Sequence, residues 1–185
     1  MTVPVIVFFS LLGVLVLISL WQLAVWLYEI RDKNAKYKAA CVQAVSTEKP
    51  LLVIGGPWGG KQYRHWINKP AHGGGDVCMD IDPHAIQGHP CGIIASVTDI
   101  PAGDKTFGAA FASHLLEHLP NSDDALKALA ELNRVADDVF ICYPSKQSVG
   151  GWITKGHHLW IDQKGDTTTV EERGGEKKTV TYRPK

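Results

Sequence analysis

The sequence predicts an α/β domain, built on a parallel sheet and closed by an antiparallel hairpin, behind one N-terminal transmembrane helix. Three observations predict it. An uncharged apolar stretch runs from Val3 to Tyr28. Five short apolar runs follow, bounded by turn residues and interleaved with helical segments, as in strands joined by crossovers. The tail then changes to Thr- and Val-rich runs, the last two separated by Gly174-Gly175, which is a hairpin signal.

The apolar stretch comes first in the chain. About 25 such residues span roughly 37 Å as a helix, enough to cross a bilayer with some tilt. Pro4 sits where a first helical turn tolerates proline. Trp21, Trp26 and Tyr28 cluster at the far end, as interfacial aromatics do. A cleaved signal peptide would want a basic segment before the run and a small-residue site after it. Nothing basic precedes Val3 except the amino terminus, and Lys36 and Lys38 intrude on Ala39-Ala40-Cys41, the nearest approach to a lipoprotein site. The expectation is an uncleaved single-pass anchor over residues 1–30, in a cell inner membrane. Arg31, Lys33, Lys36 and Lys38 follow directly, so the positive-inside rule places the remainder in the cytoplasm.

Residues 31–49 read as a polar helical connector and 50–185 as one domain. Its strands are expected at Leu51–Ile54, Val77–Ile81, Gly92–Ala95, Phe107–Ala112 and Val139–Cys142. The clearest helix lies between the last two. Asn121 or Ser122 caps it, Asp123 and Asp124 favour its positive end, and Leu126, Leu129, Ala130 and Val135 form an apolar stripe. The tail strands are Leu159–Asp162, Thr167–Arg173 and Thr179–Arg183.

Composition removes some functions. With 19 basic and 19 acidic residues the net charge is zero, so there is no electrostatic case for nucleic acid. The four cysteines include no C-x-x-C pair, which argues against a zinc ribbon or redox motif. Cys78 and Cys142 fall in strand-like runs, where a reduced thiol acts as a small buried hydrophobe.

The segment LLVIGGPWGGK, residues 51–61, ends a strand in a glycine-rich turn. Gly55 to Lys61 spells G-x-x-x-x-G-K, a phosphate-loop skeleton, but such a loop needs Ser or Thr next to hold magnesium. Gln62 stands there, and the run VFICYPS ends without a metal-binding carboxylate. Triphosphate hydrolysis is not expected. The other use of such a corner is to seat a nucleotide-like cofactor, with an acid some 20 residues on to accept bonds from a ribose. Asp80, in VCMDID, lies close to that distance from Gly59.

Glycine loop, acidic second strand, TDIPAGDKTFGAAFASHLLEHLP and a helix followed by DVFICYPSK together resemble a class I S-adenosylmethionine-dependent methyltransferase, from about Leu51 to Ser145. The resemblance implies a Rossmann-like methyltransferase-type sheet with an antiparallel final hairpin. It also implies S-adenosylmethionine as cofactor, with Gly55, Gly56, Gly59, Asp80 and Ser96 at the family's cofactor positions. Several positions depart from the pattern. Val53 stands where the first strand usually carries an acid, and Pro57 replaces the middle glycine, removing an N–H and fixing φ. Trp58 adds bulk. Ser96 stands for the acid beside the adenine, and Phe107-Gly108 for Phe-Asp. Asp80 alone keeps its acid. The residues leave a second use open: Gly55 and Gly59 for a tight turn, Asp80 and Asp82 to cap a short helix after Pro83.

Two stretches look like metal motifs. His114-Leu-Leu-Glu117-His118 spells H-x-x-E-H, but that motif needs a helix and a third ligand. The segment follows a strand, ends at Pro120, and shows no third ligand in sequence. His84, His89 and Cys91 share a Gly/Pro loop without a fourth partner and stay unassigned. No metal is predicted. The function expected is a catalytically degenerate, membrane-anchored methyltransferase-like protein, an accessory subunit of a membrane complex such as a respiratory or photosynthetic assembly. The altered loop favours it, as does the little chain left for a substrate-binding cap. The alternative is an active methyltransferase at the cytoplasmic membrane face, acting on a lipid, a quinone-like molecule or a membrane protein.

Overall fold

The computed structural model describes residues 3–56, 73–175 and 177–181. Helix α1, Val3–Ser46, is unbroken over 44 residues, so the segments expected as anchor and connector form one rod of about 66 Å. Every residue from Val3 to Trp21 is exposed. From Gln22 onward a stripe at helical spacing turns inward, with Val25, Ala40 and Ala44 buried.

The domain begins with β1, Leu51–Ile54, and continues through β2, Val77–Asp80, β3, Gly92–Ile94, and β4, Phe107–Ser113. Helix α2, Ser122–Val135, leads directly into β5, Ala136–Cys142. These strands form one parallel sheet in the order β3-β2-β1-β4-β5. This is a Rossmann-like sheet. The predicted helix has the expected cap: Asn121 accepts from the Asp124 amide at 2.9 Å. β5 starts three residues earlier than its apolar run suggested, because Ala136 to Asp138 pair with β4 although two of them are acidic.

Period-2 alternation assigns the two faces of the sheet. Leu51, Val53, Ala109 and Phe111 face α1, where Ala40 and Ala44 are buried with them. Leu52, Ile54, Ala110 and Ala112 face α2, with Leu129, Leu132 and Val135. The rear half of α1 therefore supplies one outer layer of the domain. Gly108 explains itself here: a Cβ would lie 2.9 Å from the Ala44 Cα and would strike Thr47 Oγ1. The position read in sequence as a lost acid is where helix and sheet touch.

A short helix α3, Val149–Ile153, precedes the tail strands β6, Leu159–Lys164, β7, Thr167–Glu172, and β8, Lys177–Thr181. These make the antiparallel C-terminal unit, but as a separate three-stranded sheet rather than an extension of the first. It is fixed to the start of α2, where the Ser122 amide donates to Glu172 Oε1 at 2.8 Å and Lys178 meets Asp123 at 2.8 Å. At the far end of α2, Arg134 donates to the carbonyls of Ile100 and Ala102 and pairs with Glu131. That guanidinium holds the Glu131 carboxyl down at about 2.

Candidate functional site

In an open α/β sheet, ligands bind beyond the carboxyl ends of the strands, where the strand order reverses. Here the order runs β1 to β2 to β3 one way and restarts with β4 on the other side of β1. Gly55 and Gly56 leave β1 at that point, Asp80 ends β2, and Ser96 follows β3. The structure thus gathers four of the five predicted positions on one edge. Gly59, with Pro57 and Trp58, lies outside the described residues.

Gly55 has φ +99°, and a Cβ there would stand 2.6 Å from the Ser113 carbonyl oxygen, so only glycine fits between β1 and β4. Gly56 has φ +52°; its Cβ would collide with the Ala85 methyl and come within 2.8 Å of Asp80 Oδ2. The residues after β2 therefore fold back onto the glycine corner. They form a hydrogen-bonded turn, not the short helix expected after Pro83 with Asp80 and Asp82 as its caps. The Asp82 amide donates to Asp80 Oδ1 at 2.9 Å, and the His84 amide to Asp82 Oδ1 at 2.9 Å. Ser96 closes a turn of its own: its Oγ is 2.8 Å from Thr98 Oγ1 and accepts from the Thr98 amide at 3.2 Å. His84, His89 and Cys91 do not converge; His89 Nδ1 accepts from the Cys91 amide at 3.2 Å.

A second feature was invisible in sequence. A groove of about 640 Å³ separates α1 from the C-terminal sheet, lined by Trp21, Val25 and Tyr28 on one wall and Tyr143, Trp160 and Ile161 on the other. Polar side chains of α1 tie the helix to the loop at residues 145–149 beside it. Gln22 donates to the Gln147 carbonyl at 3.0 Å and accepts from the Val149 amide at 2.8 Å, and Glu29 accepts from the Ser145 amide at 2.8 Å. Gln22 to Tyr28, expected within a span, thus partly faces protein.

Residues 59–138, less than half of the chain, match the family described as "Methyltransferase domain". With the strand order, that defines the class: a methyltransferase-like domain behind one long N-terminal apolar helix. Among solved structures the chain is similar to the Burkholderia thailandensis 1,6-didemethyltoxoflavin-N1-methyltransferase, whose crystals held 1,6-didemethyltoxoflavin and S-adenosylhomocysteine. The identity is 13% and the TM-score 0.36, over 81% of this chain and 62% of that one. The chain spans less than two thirds of that enzyme's length, and a likeness at this level bears on neither substrate nor mechanism. No curated protein matches the chain.

Proposed function

We propose that the protein is a membrane-anchored, methyltransferase-like accessory subunit whose cofactor corner is closed by its own chain. One observation carries this reading: Ala85 is packed on Gly56 beside the Asp80 carboxylate, where the ribose of a nucleoside cofactor would have to lie. Asp80 Oδ1 already serves the turn that brings Ala85 there. The sequence adds Pro57 for the middle glycine and Ser96 for the adenine-side acid. Losing two or three hydrogen bonds, at about 1–1.5 kcal/mol each, weakens binding by roughly a hundred- to a thousandfold.

Calorimetry on the full chain in mild detergent tests it. S-adenosylmethionine is expected to bind at best in the millimolar range, and Asp80→Asn to change nothing. Micromolar binding that Asp80→Asn abolishes overturns the reading. It would favour the second one, an active methyltransferase, for which the retained Asp80 and the groove beside the apolar helix speak. That groove is aromatic on both walls and fits an amphiphile better than a soluble acceptor.

The membrane assignment rests on the exposed apolar surface of Val3 to Trp21, whose roughly 28 Å matches a hydrocarbon core of about 30 Å. Helix α3 is held level with Gln22 and exposes Trp152 at 56% and Ile153 at 73%, apolar side chains suited to the headgroup boundary. The basic residues after the span support a cytoplasmic position for the domain in this reading. A cysteine introduced at Lys155 is expected to stay unlabelled by an impermeant reagent applied to intact cells. Labelling from outside would reverse the orientation. The lipid bilayer and the other subunits of a membrane complex are the partners this reading assigns.

A further inference from the structure

In sequence the H-x-x-E-H segment lacks both the helix and the third ligand that its motif needs. The fold supplies the ligand. After β4 the chain makes a single 3-10 turn, Leu116–His118, and the loop before β6 returns beside it. The His158 amide donates to the Glu117 carbonyl at 2.7 Å, which fixes His157 against the turn. One ligand atom from each of Glu117, His118 and His157 lies within 4.8 Å of the others. The two imidazoles meet edge to face, their centroids 4.5 Å apart.

Three details separate this from a chance cluster. Glu117 is 1% exposed, yet neither carboxylate oxygen has a hydrogen-bond partner. A buried, unpaired carboxylate is costly unless a proton or a cation joins it. Its nearest basic neighbour, His114 Nδ1, is 3.3 Å from Oε1 without hydrogen-bond geometry. Second, both rings have the same partner type. His118 Nδ1 is 3.1 Å from the Gly156 carbonyl and His157 Nδ1 is 3.1 Å from the Gly151 carbonyl. A carbonyl only accepts, so each Nδ1 carries a proton, and in the neutral ring Nε2 is left with its lone pair. Metal-bound histidines are oriented in this way by the second ring nitrogen. Third, His118 is exposed, which leaves an approach for an ion and its water.

We propose that Glu117, His118 and His157 bind a divalent transition ion of the zinc class, with water or His114 completing the shell. Two imidazoles and a carboxylate suit zinc better than magnesium or calcium, which prefer oxygen. The ion would tie the turn after β4 to the loop before β6, whether or not a cofactor binds at the glycine corner.

The test uses the full chain in detergent, stripped with EDTA and then given zinc chloride or cobalt chloride. Expected are about one zinc per chain, a rise in Tm with zinc, and visible cobalt absorption bands of a low-symmetry site. Glu117→Gln and the double change His118→Ala with His157→Ala should lose the Tm response and the bands. Their affinity loss should exceed the roughly 10–100-fold that altering an outer-shell partner costs. In EDTA, Glu117→Gln should melt no lower than the wild-type chain, because neither buried oxygen of Glu117 has a hydrogen bond to lose; that shows the variant folds. His89→Ala, away from the cluster, should behave as wild type. Failure of the wild-type chain to take up zinc overturns the proposal, as does uptake that survives the double change.

Discussion

Phe111→Ala is expected to lower the unfolding free energy by about 3–5 kcal/mol. Phe111 sits in the centre of β4, with no exposed surface, between the sheet and α1. Its ring meets Tyr37 edge to face at 5.3 Å, a contact across the helix–sheet boundary. Truncation removes a large apolar side chain and leaves a cavity that flanking β1 and β5 cannot close, since both are held to β4 in parallel register. Phe111→Leu keeps much of the volume and should cost under about 1.5 kcal/mol. Urea denaturation in detergent, followed by circular dichroism, measures both. A loss below about 1 kcal/mol for the alanine variant would mean that α1 does not cover this face.

Gly108→Ala should be the next most damaging change, at about 1–3 kcal/mol for an overpacked contact. A single methyl is enough, because besides the Thr47 hydroxyl, which can rotate, it meets the Ala44 Cα at 2.9 Å, a backbone atom that cannot swing away. The expected consequence is specific: α1 is levered off the sheet while α2 and its face of the core stay in place. Limited proteolysis should then cut sooner at Lys33, Lys36 or Lys38. Gly13→Ala is the matched control, since a Cβ there meets nothing within 4 Å. Equal stability of the two variants would contradict the docking.

These two residues also mark what the sequence showed and what it hid. β1 and β4 read as continuous apolar runs because both faces of the sheet are covered, and α2 announced itself through its cap and stripe. What covers the second face was not legible. The stripe by which α1 docks includes Gln22, Glu29, Asp32 and Lys36, polar side chains that bond to backbone, to each other or over Tyr143, and so carry no hydrophobic periodicity. Gly108 looked like a missing acid for the same reason: the partner that requires a glycine lies some 60 residues earlier. At the glycine corner, Asp80 ends β2 and lies beside Gly56, as the spacing along the chain suggested. The turn that returns Ala85 to Gly56 has no signature beyond two aspartates. The third member of the histidine cluster was hidden by distance along the chain, because His157 meets Glu117 only once β6 has been placed.

The unbroken course of α1 has a mechanical result. Most tethered domains sample a volume set by a flexible linker, and their local concentration around any target falls off with that linker's length. Here no joint separates the apolar segment from the sheet, and Gln22 and Glu29 brace the rod against the loop at residues 145–149. Whatever holds the first twenty residues therefore sets the height and the compass bearing of the domain as well. Anything that meets it must arrive at that one height and from that one side.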